Sequence, residues 1–373
     1  MLLIYAYFFL GSLSLTWLLM GLASPIAERL NLFDVPGERK LHIGRIPLSG
    51  GLILFGSFAA MLTLHAAIAW AAGLWEGAPP PLELFGRDMT GVAARVGAIV
   101  LAGSAIYLLG RMDDARGLGV GTRLAVQIGA AALCVLGGLQ PTFGPIPYPL
   151  GAAISILWIV TIVNGYNMVD GLDGLAAGLG IVACALLGVS LHLSDQPQGA
   201  IVLAALAGSL GGFLRYNFHP ARVFMGSSGA MTLGFVLGSM SLYLGALKSE
   251  AVDVHAFCIP VLIMAMPLYD MASVVYLRLR NRESIVRADN RHFHHRLLRM
   301  GFSHRQAAAF VWLMAAVSGL PVVVLLRLER ALSLALFAQV GAIILALVVI
   351  ERACNRIAAP MPDRKARTPK VKV

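Results

Sequence analysis

Charge is what this chain of 373 residues has least of. Asp, Glu, Lys and Arg together make up 13% of it, about half the share usual in a soluble domain. Polar stripes are missing too. The 58% of residues that are hydrophobic run in blocks such as ALSLALFAQVGAIILALVVI at 331–350, with nothing along them to face water. That excludes a soluble core and implies membrane helices, because a bilayer offers no water to satisfy polar groups. Cysteine is scarce: Cys134, Cys184, Cys258 and Cys354 form no CxxC pair, and the first three sit inside apolar runs. A disulfide framework and a cysteine metal site are therefore excluded, and these residues read as small buried hydrophobes. No basic residue precedes the first apolar run, 1–24, and no small-residue cleavage pattern closes it. It is expected to remain as a membrane helix and not to be removed as a signal peptide. Neither a linker nor an internal repeat divides the chain.

What the chain does have is eleven apolar runs, near 1–24, 49–72, 92–110, 121–140, 149–167, 174–192, 198–214, 228–247, 254–277, 306–326 and 331–352. They predict an all-α, polytopic transmembrane bundle of about 10–11 helices. A single membrane domain over 1–352 and a basic cytoplasmic tail over 353–373, expected to be disordered, complete the plan. The charges orient it. Of 29 Lys and Arg residues, 24 fall in alternate loops and the tail, and 4 in the loops between. Basic loops stay in the cytoplasm, so the N-terminus is expected outside and the C-terminus inside.

On that topology the carboxylates gather on one face. Asp113 and Asp114 end a run in GRMDD, and Asp34 opens DVPGERKLHIGRIPLSGG. Asn164, Asn167, Asp170 and Asp173 punctuate NGYNMVDGLDGLAAG. Adjacent carboxylates repel unless a cation or proton lies between them, so the Asp pair suits Mg²⁺ binding or base chemistry, or is simply a solvated loop start. Asn167, Asp170 and Asp173 are spaced three apart and would share a helix face, where their oxygens suit a hard cation. No Glu closes that segment as a calcium loop requires. Between 278 and 305 lies the most basic loop, with Arg291, His292, His294, His295 and Arg296. Such a cluster suits phosphate oxygens, whereas a topology anchor alone accounts for the arginines and not the histidines. The loop RYNFHPARVFMGSSG supplies Arg215, Asn217, Arg222 and Phe224, and alone would pass for a connecting turn.

In order along the chain, DVPGERKLHIGRIPLSGG (34–51), GRMDD (110–114), NGYNMVDGLDGLAAG (164–178), NFHPARVFMGSSG (217–229), PLYD (267–270) and RHFHHRLLRMG (291–301) together resemble one family. It is that of the polyprenyl-phosphate N-acetylhexosamine-1-phosphate transferases, which start O-antigen, enterobacterial common antigen and wall teichoic acid synthesis. The phospho-N-acetylmuramoyl-pentapeptide transferase is a more distant relative, and the histidine segment looks like the N-acetylglucosamine branch. The resemblance implies transfer of N-acetylhexosamine-1-phosphate, most simply GlcNAc-1-phosphate, from a UDP-sugar to polyprenyl phosphate with release of UMP. Mg²⁺ is the implied cofactor, with Mn²⁺ as alternative. The implied setting is the cytoplasmic face of a bacterial inner membrane. Membrane lipid and a second copy of the chain are compatible partners; nucleic acid is not an expected one.

Residue roles follow from the same resemblance. Asp113 and Asp114 match a pair implicated in activating the lipid phosphate. Asn167, Asp170 and Asp173 match positions lining the nucleotide and metal site. Asn217 and Phe224 match residues that hold uracil, with Arg222 beside them. His292, His294, His295 and Arg296 match a loop that contacts sugar or diphosphate, and Lys40 and His42 fall in the first motif. One position departs from the pattern. Where the family has Gly-Asp-x-Gly, its Asp a magnesium ligand, this chain has Gly226-Ser227-Ser228-Gly229. Serine is neutral, although its hydroxyl can ligate Mg²⁺. A natural variant with a rearranged metal set of Asp114, Asn167 and Ser227, an inactive paralogue that still binds UDP-sugar, and an engineered change all fit. A transporter would instead place charges in the middle of its spans, which are nearly free of them here.

Overall fold

The computed structural model describes residues 1–34, 44–73, 89–139, 146–246, 254–284 and 291–325, with part of 338–349. Lys40, His42, most of the expected run 331–352 and the whole basic tail lie outside the described residues.

Helices dominate, as the apolar runs require: in a bilayer a helix satisfies every backbone group within its own segment. They are α1 Leu2–Met20, α2 Ala23–Leu30, α3 Gly50–Gly73, α4 Met89–Arg116, α5 Val120–Leu136, α6 Tyr148–Val169, α7 Leu175–Leu193, α8 Pro197–Asn217 and α9 Gly226–Ala246. There follow α10 Val254–Ile263, α11 Ala265–Arg280, α12 Phe293–Arg299, α13 His304–Gly319 and α14 Pro321–Leu325. Among the described residues, six helical stretches are long and apolar enough to cross a membrane: 2–20, 50–68, 148–169, 175–193, 197–217 and 304–323. The chain is an all-α, polytopic integral membrane protein.

Three details differ from the sequence expectation. The run 254–277 is two helices meeting at Met264, with Pro260 inside the first and Pro267 near the start of the second; each proline removes a backbone donor. A two-residue hairpin also forms, β1 Phe33–Asp34 against β2 Ile46–Pro47, antiparallel with Phe33 opposite Pro47. Finally, α6 ends at Val169. Asn167, Asp170 and Asp173 therefore do not share one helix face; the last two lie on a tight turn that Gly174, at φ 74°, closes.

Small residues set the packing. A Cβ on Gly208 of α8 would lie 2.0 Å from the Phe9 carbonyl oxygen of α1, and one on Gly212 would lie 2.6 Å from that of Leu13. Two glycines four apart thus let α1 lie against α8 backbone to backbone, the usual device where lipid supplies no hydrophobic drive. The innermost helices are α7, α8 and α9, whose Leu187, Leu206, Phe213 and Phe235 are fully enclosed.

Candidate active site

The site begins where α4 crosses the start of α9. A Cβ on Gly110 would sit 2.4 Å from the Ser228 Cα, so only glycine permits this crossing. One turn further along α4, and so on the same side, Asp114 meets the first turn of α9. Its Oδ1 accepts the Ser227 N–H at 2.8 Å and its Oδ2 the Ser228 N–H at 3.2 Å. These are N–H groups that a helix start leaves without an internal partner, and the helix dipole favours an anion there. Gly226 enters the turn at φ 72°, and a Cβ on it would lie 2.8 Å from Asp114 Oδ2. Main-chain bonds hold this turn against the start of α3: Phe224 N–H to the Pro47 carbonyl at 2.9 Å, and Gly51 N–H to that of Met225 at 3.2 Å.

Asp113, although adjacent, points elsewhere. Its Oδ1 accepts the Leu118 N–H at 2.8 Å and its Oδ2 the Arg123 guanidinium at 3.2 Å. It ties the turn between α4 and α5 and does not line the cavity described next. Asn164 is likewise structural: its amide donates to Gln127 Oε1 of α5 at 2.7 Å and to the Val160 carbonyl.

A cavity of about 650 Å³ opens between these elements. Asp114, Asn167, Asp170, Asp173, Asn217, Phe224, Ser227 and His295 line it, together with Asp34, His219 and His304. Of the expected site residues, Asp113, Arg222, His292, His294 and Arg296 do not. Asn217 reaches the wall with its amide already used. Its Oδ1 accepts the Gly174 N–H at 2.9 Å and its Nδ2 donates to the Val223 carbonyl at 3.0 Å, so it pins the aspartate turn to the Phe224 loop. Asp173 Oδ2 accepts the Ala221 N–H at 3.0 Å and pairs with His219 Nδ1 at 2.8 Å. His219 in turn stacks on His304, with ring centroids 4.4 Å apart and planes 8° from parallel. Reasoning from sequence did not single out either histidine. A signal for His304 was present, since Ser303 and Gln306 form a capping box and place it on the first turn of α13.

The expected histidine cluster is mostly scaffold. Asp270 on α11 accepts from the Phe293 N–H and pairs with His292 Nδ1 at 2.8 Å, both partners on the loop and short helix α12. Arg296 donates to the Ser273 hydroxyl and the Arg291 carbonyl, each at 2.9 Å. His294 is buried beneath the aspartate turn, where a Cβ on Gly171 would lie 2.7 Å from its Nε2. Burial, then the neighbouring His295, lowers its pKa to about 3, so it is neutral.

The aspartate side is electrostatically loaded. Burial pushes the Asp170 carboxyl well above the usual carboxylate range, and the charges of Asp114 and Asp173 push it further. Among the described residues no three His, Cys, Asp or Glu side chains come together as ligands of one ion. The oxygens of Asp114, Asn167 and Ser227, which all line the cavity, nonetheless make a hard donor set. Magnesium is commonly held by one or two carboxylates, with substrate phosphates supplying the rest, and these residues fit that pattern.

A helical membrane bundle with an acidic cavity at its helix ends defines a class, and the family model for glycosyl transferase family 4 matches residues 96–245. Relatives align over far more of the chain. The probable undecaprenyl-phosphate N-acetylglucosaminyl 1-phosphate transferase of Bacillus subtilis (strain 168) is 31% identical over 327 residues, covering 85% of this chain and 84% of its own. The decaprenyl-phosphate N-acetylglucosaminephosphotransferase of Mycobacterium tuberculosis is 34% identical over 329 residues, covering 81% and 78%. The undecaprenyl-phosphate alpha-N-acetylglucosaminyl 1-phosphate transferase of Yersinia pestis is 30% identical over 324 residues, covering 83% and 80%. The chain belongs to this family of polyprenyl-phosphate N-acetylglucosamine-1-phosphate transferases.

Proposed function

We propose that this protein transfers GlcNAc-1-phosphate from UDP-GlcNAc to a polyprenyl phosphate at the cytoplasmic face of a bacterial inner membrane, the first membrane step of an envelope polysaccharide. The observation that carries the reading is the convergence of Asp114, Asp170 and Asp173 with the start of α9 in one cavity.

An oxygen of the lipid phosphate attacks the β-phosphorus of the nucleotide sugar. A new P–O bond forms, the bond from that phosphorus to the bridging oxygen breaks, and UMP leaves with the oxygen. Asp114 is the member of the pair on the cavity wall, and two backbone N–H groups hold its carboxylate in place. There it orients the lipid phosphate and takes any proton it carries. Asp113 is a positioning residue that fixes the end of α4. Phe224 offers a ring on which uracil stacks, and Asn217 fixes the loop that carries it. Asp114, Asn167 and Ser227 would hold Mg²⁺, which when bound neutralises the diphosphate and favours departure of UMP. The deciding experiment gives purified protein UDP-GlcNAc, undecaprenyl phosphate and Mg²⁺. Release of UMP that requires all three is the expected result, and none at any Mg²⁺ concentration refutes the reading.

A further inference from the structure

His219 and His304 line the acidic cavity, yet no step above uses them. His219 is held from three sides. Its Nδ1 bonds to Asp173 Oδ2 at 2.8 Å, an oxygen that also accepts the Ala221 N–H at 3.0 Å. Its ring lies on that of His304, with centroids 4.4 Å apart and planes 8° from parallel. Its carbonyl accepts the Arg305 Nε–H at 3.0 Å, while the same guanidinium sits over the Phe218 ring, 5.5 Å from the centroid. One polar atom is left over. His219 Nε2 has no protein partner among the described residues.

The chemistry of that atom follows from its neighbours. A carboxylate oxygen only accepts, so the proton of the Asp173 bond is on Nδ1. In the neutral ring Nε2 is then a bare acceptor. The stack takes the ring face toward His304, so His219 meets a ligand with its edge. A fixed acceptor on a cavity wall suits an N–H in the plane of a flat ligand.

The same loop supplies a second contact for such a ligand. Asn217 Nδ2 donates to the Val223 carbonyl at 3.0 Å, and the Arg222 N–H donates to the Tyr216 carbonyl at 2.8 Å, so the loop closes on itself. His219 and Phe224 belong to this one closed loop and line one cavity. Phe224 offers a face and His219 an edge, the two contacts by which proteins read an unpaired base. Uracil carries an N–H at N3. Cytosine has a lone pair there, which would oppose the lone pair of Nε2.

We infer that His219 reads the Watson–Crick edge of the nucleotide base, its Nε2 accepting the N3–H of uracil, and so sets a preference for uridine over cytidine nucleotides. Asp173 and His304 act through it as positioning residues. This inference rests on the function proposed above and adds to it a residue that chooses the base.

The test uses the full-length protein in detergent and reads the binding of UMP and CMP by calorimetry. The wild type should bind CMP about tenfold or more weakly than UMP. His219→Phe keeps a ring to stack on His304 and removes the acceptor. Its affinity for UMP should fall about tenfold, to near that for CMP, so that the preference disappears. His219→Gln, whose amide reaches the place of Nε2, should keep part of the preference, which a purely structural role for the ring would not produce. A photolabel gives a readout on the unmutated protein, which stands even if the variants fail to fold. Irradiated 4-thio-UMP, reactive at the base edge, should attach within 218–221 or at 304, and UMP should compete. An unchanged ratio of UMP to CMP affinity in a folded His219→Phe, equal binding of the two by the wild type, or label absent from both segments overturns the inference and leaves the transferase reading intact. If the wild type binds neither nucleotide and releases no UMP from UDP-GlcNAc, that reading falls and takes the inference with it.

Discussion

Asp170 and Asp270 have the same side chain, and their surroundings are opposite. Asp270 is buried with a histidine and a backbone N–H as its partners. Asp170 faces the cavity, and burial, with two further carboxylates adding to it, raises its pKa. Asp270 locks α12 onto α11 and lies off the cavity; Asp170 sits in the cavity wall at a cost to stability. A carboxylate with its charge fully answered belongs to the scaffold, and one left uncompensated is held ready for a ligand.

The sharpest way to break this contrast is between the neighbours Asp113 and Asp114. Asp114→Asn is expected to lower turnover by about 10²-fold or more, the effect of losing an acid–base or orienting group. Asp113→Asn is expected to cost about tenfold or less, because its partners lie on the α4–α5 turn. Steady-state UMP release at saturating lipid phosphate measures both. Equal losses would show that position on the cavity wall does not separate the two roles.

Next in size is a pair of melting measurements with opposite signs. Asp270→Asn weakens the bonds that the carboxylate accepts from His292 and the Phe293 N–H and should destabilise the protein by about 2 kcal/mol. Asp170→Asn should raise the melting temperature at neutral pH while reducing activity. The sign follows from linkage. A carboxyl whose folded pKa is raised penalises the folded state as pH climbs above the unfolded value, and a neutral amide removes that penalty. The gain should shrink as pH falls through the ordinary carboxylate range. Two shifts of the same sign would refute the distinction drawn between these residues.

Ser227 sharpens the comparison from the ligand side. Ser227→Asp adds a carboxylate to a cavity already lined by Asp34, Asp114, Asp170 and Asp173, so without metal the protein should melt lower. With metal, the Mg²⁺ concentration for half-maximal UMP release should fall by about tenfold. If the serine form already saturates at low Mg²⁺ and the aspartate form is no better, the serine is a complete solution by itself.

The smallest effect expected is at His294. Its pKa drops from 6.5 to about 3, so between those values the unfolded chain binds a proton that the folded protein refuses. The stability linked to the neutral ring is complete above the unfolded value and drains away as pH falls. The melting temperature of the wild type should therefore decline from neutral to about pH 5 more steeply than that of His294→Gln. Parallel declines would place the acid sensitivity elsewhere.

Much of this was legible in the sequence. Uninterrupted apolar runs located the membrane helices, including the 22-residue α6, because lipid allows the backbone few alternatives. The order of the polar motifs marked Asp114, Asn167, Asp170, Asp173, Phe224 and Ser227, and all six line the acidic cavity. Motif reading could not separate Asp113 from Asp114. Neighbours on a helix point about 100° apart, and only the backbone crossing at Gly110 decides which of them faces α9. The break at Met264 was hidden because a run of hydropathy does not distinguish one helix from two. His219 and His304 escaped because their stacking joins a loop after α8 to the start of α13, a contact between residues 85 positions apart.

Asp114 is anchored by main-chain N–H groups, which every residue except proline supplies. Drift at 227 can therefore alter the charge, bulk and metal preference of the cavity without loosening the carboxylate. The α4–α9 joint works as a fixed mount with an exchangeable face. A serine can stand at 227, and the neighbouring Asp114 keeps its place.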